Sequence, residues 1–167
     1  DVVIVGDIPL AASDVTNLTN WVNAGGTLIA SKPDPQLASL LGITATGNTL
    51  ANEYLLVDTS TTAGHGIVGQ TIQFHSAADL YTLNGATSLA KLYSDANTAT
   101  TYPAVTTRSV GTNGGSASAF TFDLARSVVY TRQGNPAWVN QKRDGQIDPI
   151  RSDDMFYPDW IDFNKVA

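Results

Sequence analysis

The hydrophobic pattern of the first 42 residues is that of alternating strands and helices. Continuous apolar runs at residues 2–6 and 27–30 flank a segment in which Val15, Leu18 and Val22 recur at helical spacing. This order predicts a strand, a helix and a second strand. The connection should be right-handed and the two strands parallel.

The boundaries of these elements carry ordinary start and stop signals. We expect Ser13 or Asp14 to cap the start of the helix, and Gly25 with Gly26 to end it in the left-handed conformation. The first strand reads as a strand that is buried on both faces of a parallel sheet. A second short helix is predicted at residues 36–41, ended by Gly42.

From residue 43 onward the pattern changes to short β-rich runs separated by Gly, Asn and Pro. Strands are predicted at residues 54–58, 71–75, 89–93, 104–110, 116–123 and 127–131. The Asn113-Gly114 step predicts a hairpin loop at residues 111–115. Residues 133–158 lack periodicity and are predicted to form a long surface loop, of the kind that is usually functional or packed against a neighbour.

Length and composition limit the classes of function. With 167 residues, the whole chain, 1–167, is predicted to form a single domain. Nine Lys and Arg against 15 Asp and Glu give a net charge of −6, which repels nucleic-acid backbones. No apolar run approaches the roughly 20 residues of a membrane span. We therefore expect neither nucleic acid nor membrane as a partner.

The absence of cysteine removes thiol nucleophiles, disulfides and Cys-ligated metals. Few Lys and a single glutamate, Glu53, leave a polar, charge-poor surface that is typical of secreted or cell-surface bacterial proteins. The chain begins on an apolar strand and stops without a cap. We therefore expect a piece of a longer polypeptide, truncated at both ends.

Several segments together resemble the class I glutamine amidotransferase-like superfamily. The matching segments are residues 1–6 (apolar strand, then loop), 18–29 (helix, Gly-Gly, strand), 37–42 (Leu-Ala-Ser-Leu-Leu-Gly), 64–69 (Gly-His-Gly-Ile-Val-Gly), 103–105 with 114–115, and 119–124 (Ala-Phe-Thr-Phe-Asp-Leu). The resemblance implies a flavodoxin-like three-layer α/β domain, with a parallel sheet core and a β-rich C-terminal half. Relatives include trehalose-utilisation-type proteins and the middle domain of some β-galactosidases.

The resemblance also implies what this chain does not do. Catalytic members use a cysteine on a strand-to-helix turn, and no residue here can be assigned that role. The main prediction is thus a non-catalytic structural or interaction module of a larger secreted bacterial protein. Its partners would be sibling domains of the same polypeptide or further copies in a homo-oligomer, and no cofactor is implied.

A carbohydrate-binding or hydrolase domain that contributes part of an active site is the alternative. Its candidate catalytic residues are His75 with Asp79, a base and an orienting carboxylate four residues apart, joined by Arg132 and Asp153. The alternative, structural interpretation is that His75 ends a strand and forms a hydrogen bond with a nearby carbonyl. No metal site is predicted, because lone His65 lacks zinc spacing and residues 140–151 put cations where a calcium loop needs oxygen ligands.

The last third of the chain combines aromatic rings with planar charged groups. These candidate binding residues are Trp138, Arg143, Arg151, Tyr157 and Trp160. Such residues suit stacking and hydrogen bonding to a sugar ring or a peptide. They suit a domain interface equally well, and we favour the interface over the carbohydrate.

Overall fold

The computed structural model describes residues 1–133, except for the side chains of residues 131–133. In chain order the elements are β1 (Val2–Val5), α1 (Ala12–Asn23), β2 (Thr27–Ser31), a 3-10 turn (Pro35–Leu37), α2 (Ala38–Leu41), β3 (Ile43–Ala51), β4 (Tyr54–Val57), β5 (Ile72–Gln73), β6 (Ala77–Leu83), β7 (Thr87–Tyr93), β8 (Ala99–Val110), β9 (Gly115–Phe120) and α3 (Leu124–Gln133). The described part of the chain is therefore dominated by strands.

A mixed sheet of seven strands organises the fold. Its order is β1-β2-β9-β8-β7-β4-β5. The first three strands run parallel, whereas every pairing from β9–β8 to β4–β5 is antiparallel. The sheet curls into a half-barrel, and β3 and β6 pair separately as an antiparallel ribbon.

One core lies between the parallel strands and the first two helices. Leu28 and Ala30 of β2 and Ala117 of β9 face this core with no exposed surface, and Val22 of α1 packs onto them. The helix approaches the sheet closely at Gly115, where an added Cβ would collide with the carbonyl oxygen of Val22. A residue without a side chain is needed at this position because the two backbones touch.

A second core lies under the antiparallel strands and is aromatic. The rings of Phe74 and Phe122 lie 5.5 Å apart, and Phe120 meets Phe122 edge-on at 5.9 Å. Leu55 of β4 and Leu92 of β7 complete the cluster from the sheet. The two halves of the sheet thus bury different kinds of side chain.

The predicted βαβ unit is confirmed, but two of its details are wrong. Strand β1 is not buried on both faces, because it is the first strand of the described sheet and leaves Val2 60% and Ile4 72% exposed. The N-cap residue of α1 is Ala11 and not Ser13 or Asp14. The Asp14 carboxylate instead accepts a hydrogen bond from the Ala11 amide at 3.1 Å, from within the first turn.

The predicted flavodoxin-like α/β class is wrong. That class needs a parallel sheet with helices on both faces, whereas four of the six strand pairings in this sheet are antiparallel and need no helical crossover. Residues 127–131, predicted as a strand, belong to α3, and β3 and β6 had no predicted counterpart. The predicted hairpin at residues 111–115 is confirmed by the β8–β9 pairing.

Two further predictions can be compared with the structure only within residues 1–133. The predicted surface loop lies outside them from residue 134 onward, while α3 reaches Gln133. Within residues 1–133, no helix has both the length and the apolar character that crossing a membrane requires.

Candidate functional site

The carboxyl ends of the three parallel strands form a polar edge. Asp7 follows β1, Lys32 follows β2 and Asp123 follows β9. Because parallel strands end at the same edge of a sheet, these residues are brought together from distant parts of the sequence. In α/β sheets, ligands usually bind at this edge.

Lys32 holds the first part of this edge together. Its ammonium lies 3.0 Å from the Asp7 carboxylate, and its amide donates to the Phe120 carbonyl at 2.8 Å. Its backbone has a φ of 46°, the left-handed region that residues other than Gly, Asn and Asp seldom adopt. Strained residues of this kind cluster at functional sites.

Asp79 of β6 lies within electrostatic reach of the same pair. Burial raises the pKa of the Asp79 carboxyl above its ordinary value, the Lys32 charge opposes that rise and the Asp7 charge adds to it. Burial, with the charges of Asp79 and Asp34, raises the pKa of Tyr81 to about 12. The Tyr81 hydroxyl donates to the Pro33 carbonyl at 3.3 Å.

A second strained residue, Ser76, lies between β5 and β6 and contacts the first turn of α3. It has a φ of 73°, and its amide donates to Asn52 Oδ1 at 2.8 Å while the Asn52 amide donates to the Ser76 carbonyl at 3.0 Å. Arg126 donates to the Ser76 hydroxyl at 3.2 Å and lies 3.4 Å from the Asp123 carboxylate. The bonds to Asn52 and Arg126 hold the serine in its unfavourable conformation.

His75 precedes this serine and is fully buried. Its amide donates to Ser127 Oγ at 3.1 Å, and Ser127 in turn donates to the Asp123 carbonyl at 2.8 Å. The imidazole ring meets Tyr130 edge-on, with centroids 6.1 Å apart. His75 thus connects the end of β5 to α3, and the charges that shift the pKa of its proposed partner Asp79 are those of Lys32 and Asp7.

An open groove of about 690 Å³ runs along the carboxyl edge. We call it the edge groove. Its lining comprises Ile4, Gly6, Asp7, Ser31, Asp123, Leu124, Ala125, Arg126 and Val128. Carboxylates, a guanidinium and a hydroxyl therefore border apolar surface, which allows hydrogen bonding on one side of a ligand and apolar contact on the other.

The remaining predicted site residues lie outside this description. Arg132 has no described side chain, and Asp153 lies outside the described residues. The five candidate binding residues Trp138, Arg143, Arg151, Tyr157 and Trp160 lie outside them as well. Among residues 1–133, no three His, Asp or Glu side chains lie close enough together to hold a metal ion.

Sequence reasoning did not place Lys32, Ser76 or Arg126 at this edge of the sheet. Lys32 could have been found, because it directly follows a predicted parallel strand, as Asp7 does. Ser76 gives no sequence signal, since its strained backbone depends on Asn52, 24 residues away. Arg126 was not placed there because residues 127–131 of α3 were predicted as a strand.

Solved structures share this fold, although no protein-family model and no curated protein matches the sequence. An exo-β-1,4-mannosidase from Opitutaceae bacterium strain TAV5 has a TM-score of 0.57 at 18% identity, over 77% of this chain and 22% of that one. A β-galactosidase from Rahnella sp. R3 gives the same four values. A cytoplasmic protein from Salmonella typhimurium has a TM-score of 0.56 at 12% identity, over 74% of this chain and 60% of that one.

These similarities correct the family assignment. The structures that share the fold include parts of a mannosidase and a β-galactosidase, and the sheet is mixed and curled, so the class I glutamine amidotransferase-like assignment is wrong. This chain spans about a fifth of the length of the two glycosidases. At such identities the similarity establishes the fold alone.

Proposed function

We propose that this chain is a domain of a larger carbohydrate-active protein and that its edge groove binds sugar. The observation that carries the proposal is the fold shared with segments of a mannosidase and a β-galactosidase. It favours a domain that contributes to a hydrolase over an inert module. We include in this proposal that the substrate of the whole protein is a carbohydrate.

The chemistry of the edge groove supports this assignment. Sugars present hydroxyl groups beside apolar C–H faces, so they suit sites where a few polar groups border apolar side chains. Asp7, Asp123 and Arg126 offer acceptors and donors, while Ile4 and Val128 offer apolar surface. Asp79 lies outside the lining of the groove, and its carboxyl, whose pKa is raised by burial, interacts electrostatically with Lys32 and Asp7.

A site-resolved titration tests the proposal. Lactose and β-1,4-mannobiose are added to the 15N-labelled 167-residue chain, and the amide shifts of Ser76 and Arg126 are followed. Arg126→Met should weaken binding about tenfold, the loss expected for one charge-assisted hydrogen bond. Arg108→Met, which removes a cation from another part of the sheet, should leave it unchanged. Shifts that saturate for neither sugar would contradict the proposal.

A second candidate, an interaction module, is favoured by one observation. Val2 and Ile4 of β1 and Val128 and Val129 of α3 are apolar and exposed, and exposed apolar surface of this kind often marks a protein interface. Sibling domains or a second copy of the chain would cover it. Ile4→Asp should then lower the self-association or domain binding measured by sedimentation, and Leu83→Asp, equally polar but on β6, should not.

We also propose that the protein of which this chain is a domain is exported to the cell surface. It is supported by the charge-poor composition, with 14% charged residues. Fractionation of cells that express the parent protein tests it. Recovery of the protein from the cytoplasm alone would contradict export.

A further inference from the structure

A second groove lies on the antiparallel half of the sheet. It is formed where β4 and β7 meet the loop that follows β4, and we call it the β4–β7 groove. Its polar and aromatic lining consists of Asp58, Thr59, Ser88, Lys91 and Tyr93. Its volume of about 400 Å³ falls within the roughly 300–1,000 Å³ of small-molecule sites.

The Asp58 carboxylate is fixed in place and keeps a free oxygen. Its Oδ1 accepts from the Ser60 amide at 3.0 Å and from the Ser60 hydroxyl at 2.6 Å. These bonds lower the pKa of Asp58, so the carboxylate is ionised at neutral pH. Within the described residues, Oδ2 accepts no hydrogen bond and can therefore accept one from a ligand.

Lys91 supplies a donor on the other side of the groove. Its side chain is exposed, and its charge contributes to the lowered pKa of Asp58. The two groups nevertheless form no ion pair, in contrast to the two pairs at the edge groove. An ammonium with three donors and a carboxylate oxygen thus border the same cavity without satisfying each other.

The wall of the β4–β7 groove is built before any ligand arrives. The Asp58 carbonyl accepts from the Thr61 amide at 3.2 Å and from the Thr61 hydroxyl at 2.8 Å. The Gly64 amide donates to the Thr61 carbonyl at 3.1 Å, and Gly64 packs so closely on the Asp58 carbonyl that an added Cβ would collide with it. A preformed wall lowers the ordering cost of binding.

The balance of charge selects the chemistry of the ligand. An anion would meet the Asp58 carboxylate and a cation would meet the Lys91 ammonium, so a neutral ligand with several hydroxyl groups fits best. The half-buried Tyr93 ring adds apolar surface for the C–H face of such a ligand. We propose that the β4–β7 groove is a second saccharide-binding site, separate from the edge groove. The choice of a saccharide among neutral polyols rests on the proposed function.

Matched variants of the full 167-residue chain test this site. Asp58→Asn keeps the Oδ1 acceptor for Ser60 and removes the charge, and Lys91→Met keeps the aliphatic stem. Asp95→Asn is the control, because Asp95 also accepts two hydrogen bonds on Oδ1, from the amides of Asn97 and Thr98, but lies outside the lining of the groove. Lactose and β-1,4-mannobiose are titrated while the amide shifts of Asp58 and Lys91 are followed.

We expect saturable shifts at both amides. Binding should weaken about tenfold in Asp58→Asn and in Lys91→Met, and should be unchanged in Asp95→Asn. If Asp58→Asn fails to fold, Lys91→Met decides, since its side chain is exposed. Shifts confined to the edge groove would overturn this site and leave the proposed function standing, whereas the absence of shifts at both grooves would overturn both. An equal loss in the Asp95→Asn control would also overturn it.

Discussion

The parallel and antiparallel halves of the sheet hold their charged side chains in opposite ways. At the edge groove, Lys32 pairs with Asp7 and Arg126 pairs with Asp123. At the β4–β7 groove, Asp58 and Lys91 face the same cavity without an ion pair. Paired charges have used much of their bonding capacity within the protein, whereas unpaired ones can exchange water for a ligand. The edge groove therefore offers a ligand fewer unpaired charges than the β4–β7 groove does.

The largest expected effects concern the two cores. Phe74→Ala in the aromatic core should lower the free energy of unfolding by about 3–5 kcal/mol, and Leu28→Ala in the aliphatic core by about 2–5 kcal/mol. Both side chains are fully buried. Chemical denaturation followed by circular dichroism measures both losses. If the two halves of the sheet form one cooperative unit, each variant keeps a single unfolding transition. Two separated unfolding transitions would show that the halves unfold independently.

A smaller effect is expected at the contact between α1 and β9. Gly115→Ala places a methyl group against the Val22 carbonyl and should cost about 1–3 kcal/mol of stability, as overpacking does. Gly6→Ala is the control, because an added Cβ there meets no atom within 4 Å. Equal stability of the two variants would show that the helix can move away from the sheet.

The pH dependence of stability tests the partly buried carboxyl of Asp79, which interacts with Lys32 and Asp7. Burial raises the pKa of Asp79 above its ordinary value of 3.8, so the folded protein binds this proton more tightly than the unfolded chain. The resulting stability is fully present below about pH 3.8 and is lost as the pH rises through the raised pKa. Asp79→Asn should therefore be more stable than the wild type at pH 7, and the difference should shrink below pH 4. A difference independent of pH would contradict this assignment.

The smallest effects sharpen the contrast between the two lysines. Lys32→Met breaks the pair with Asp7 and should lower stability by under about 1 kcal/mol, the usual range for a partly exposed ion pair. Lys91→Met removes an unpaired charge and should change stability by less than about 0.5 kcal/mol. Thermal unfolding of both variants in one buffer compares them. A larger loss for Lys91→Met would mean that Lys91 is the structural lysine.

The secondary structure of the first 42 residues could be predicted from the sequence because their contacts are local. The Val15, Leu18 and Val22 spacing and the glycines that end α1 define a βαβ unit without reference to the rest of the chain. The antiparallel half depends on pairings between distant segments, such as β4 with β7, which a period of two residues cannot specify. The family resemblance consisted of short segments spread over residues 1–124, none of which specifies which strands pair, and it therefore failed for the sheet as a whole.

The candidate sites followed the same rule. Asp7 and Lys32 can be placed at the sheet edge from the strands that precede them. Asp58 and Lys91 are 33 residues apart and meet only because β4 pairs with β7, so no local motif marks the β4–β7 groove. His75 and Asp79 were chosen for their spacing along the chain, whereas the structure surrounds Asp79 with Lys32 and Asp7.

The most direct test of the central claim, that the unpaired charges mark a sugar site, is a crystal structure of the chain soaked with β-1,4-mannobiose. Electron density for the sugar in the β4–β7 groove is expected, with hydroxyl groups bonded to Asp58 and Lys91 and a ring face against Tyr93. Sugar bound only at the edge groove would contradict this claim and leave the proposed function standing, whereas sugar at neither groove under saturating conditions would contradict both.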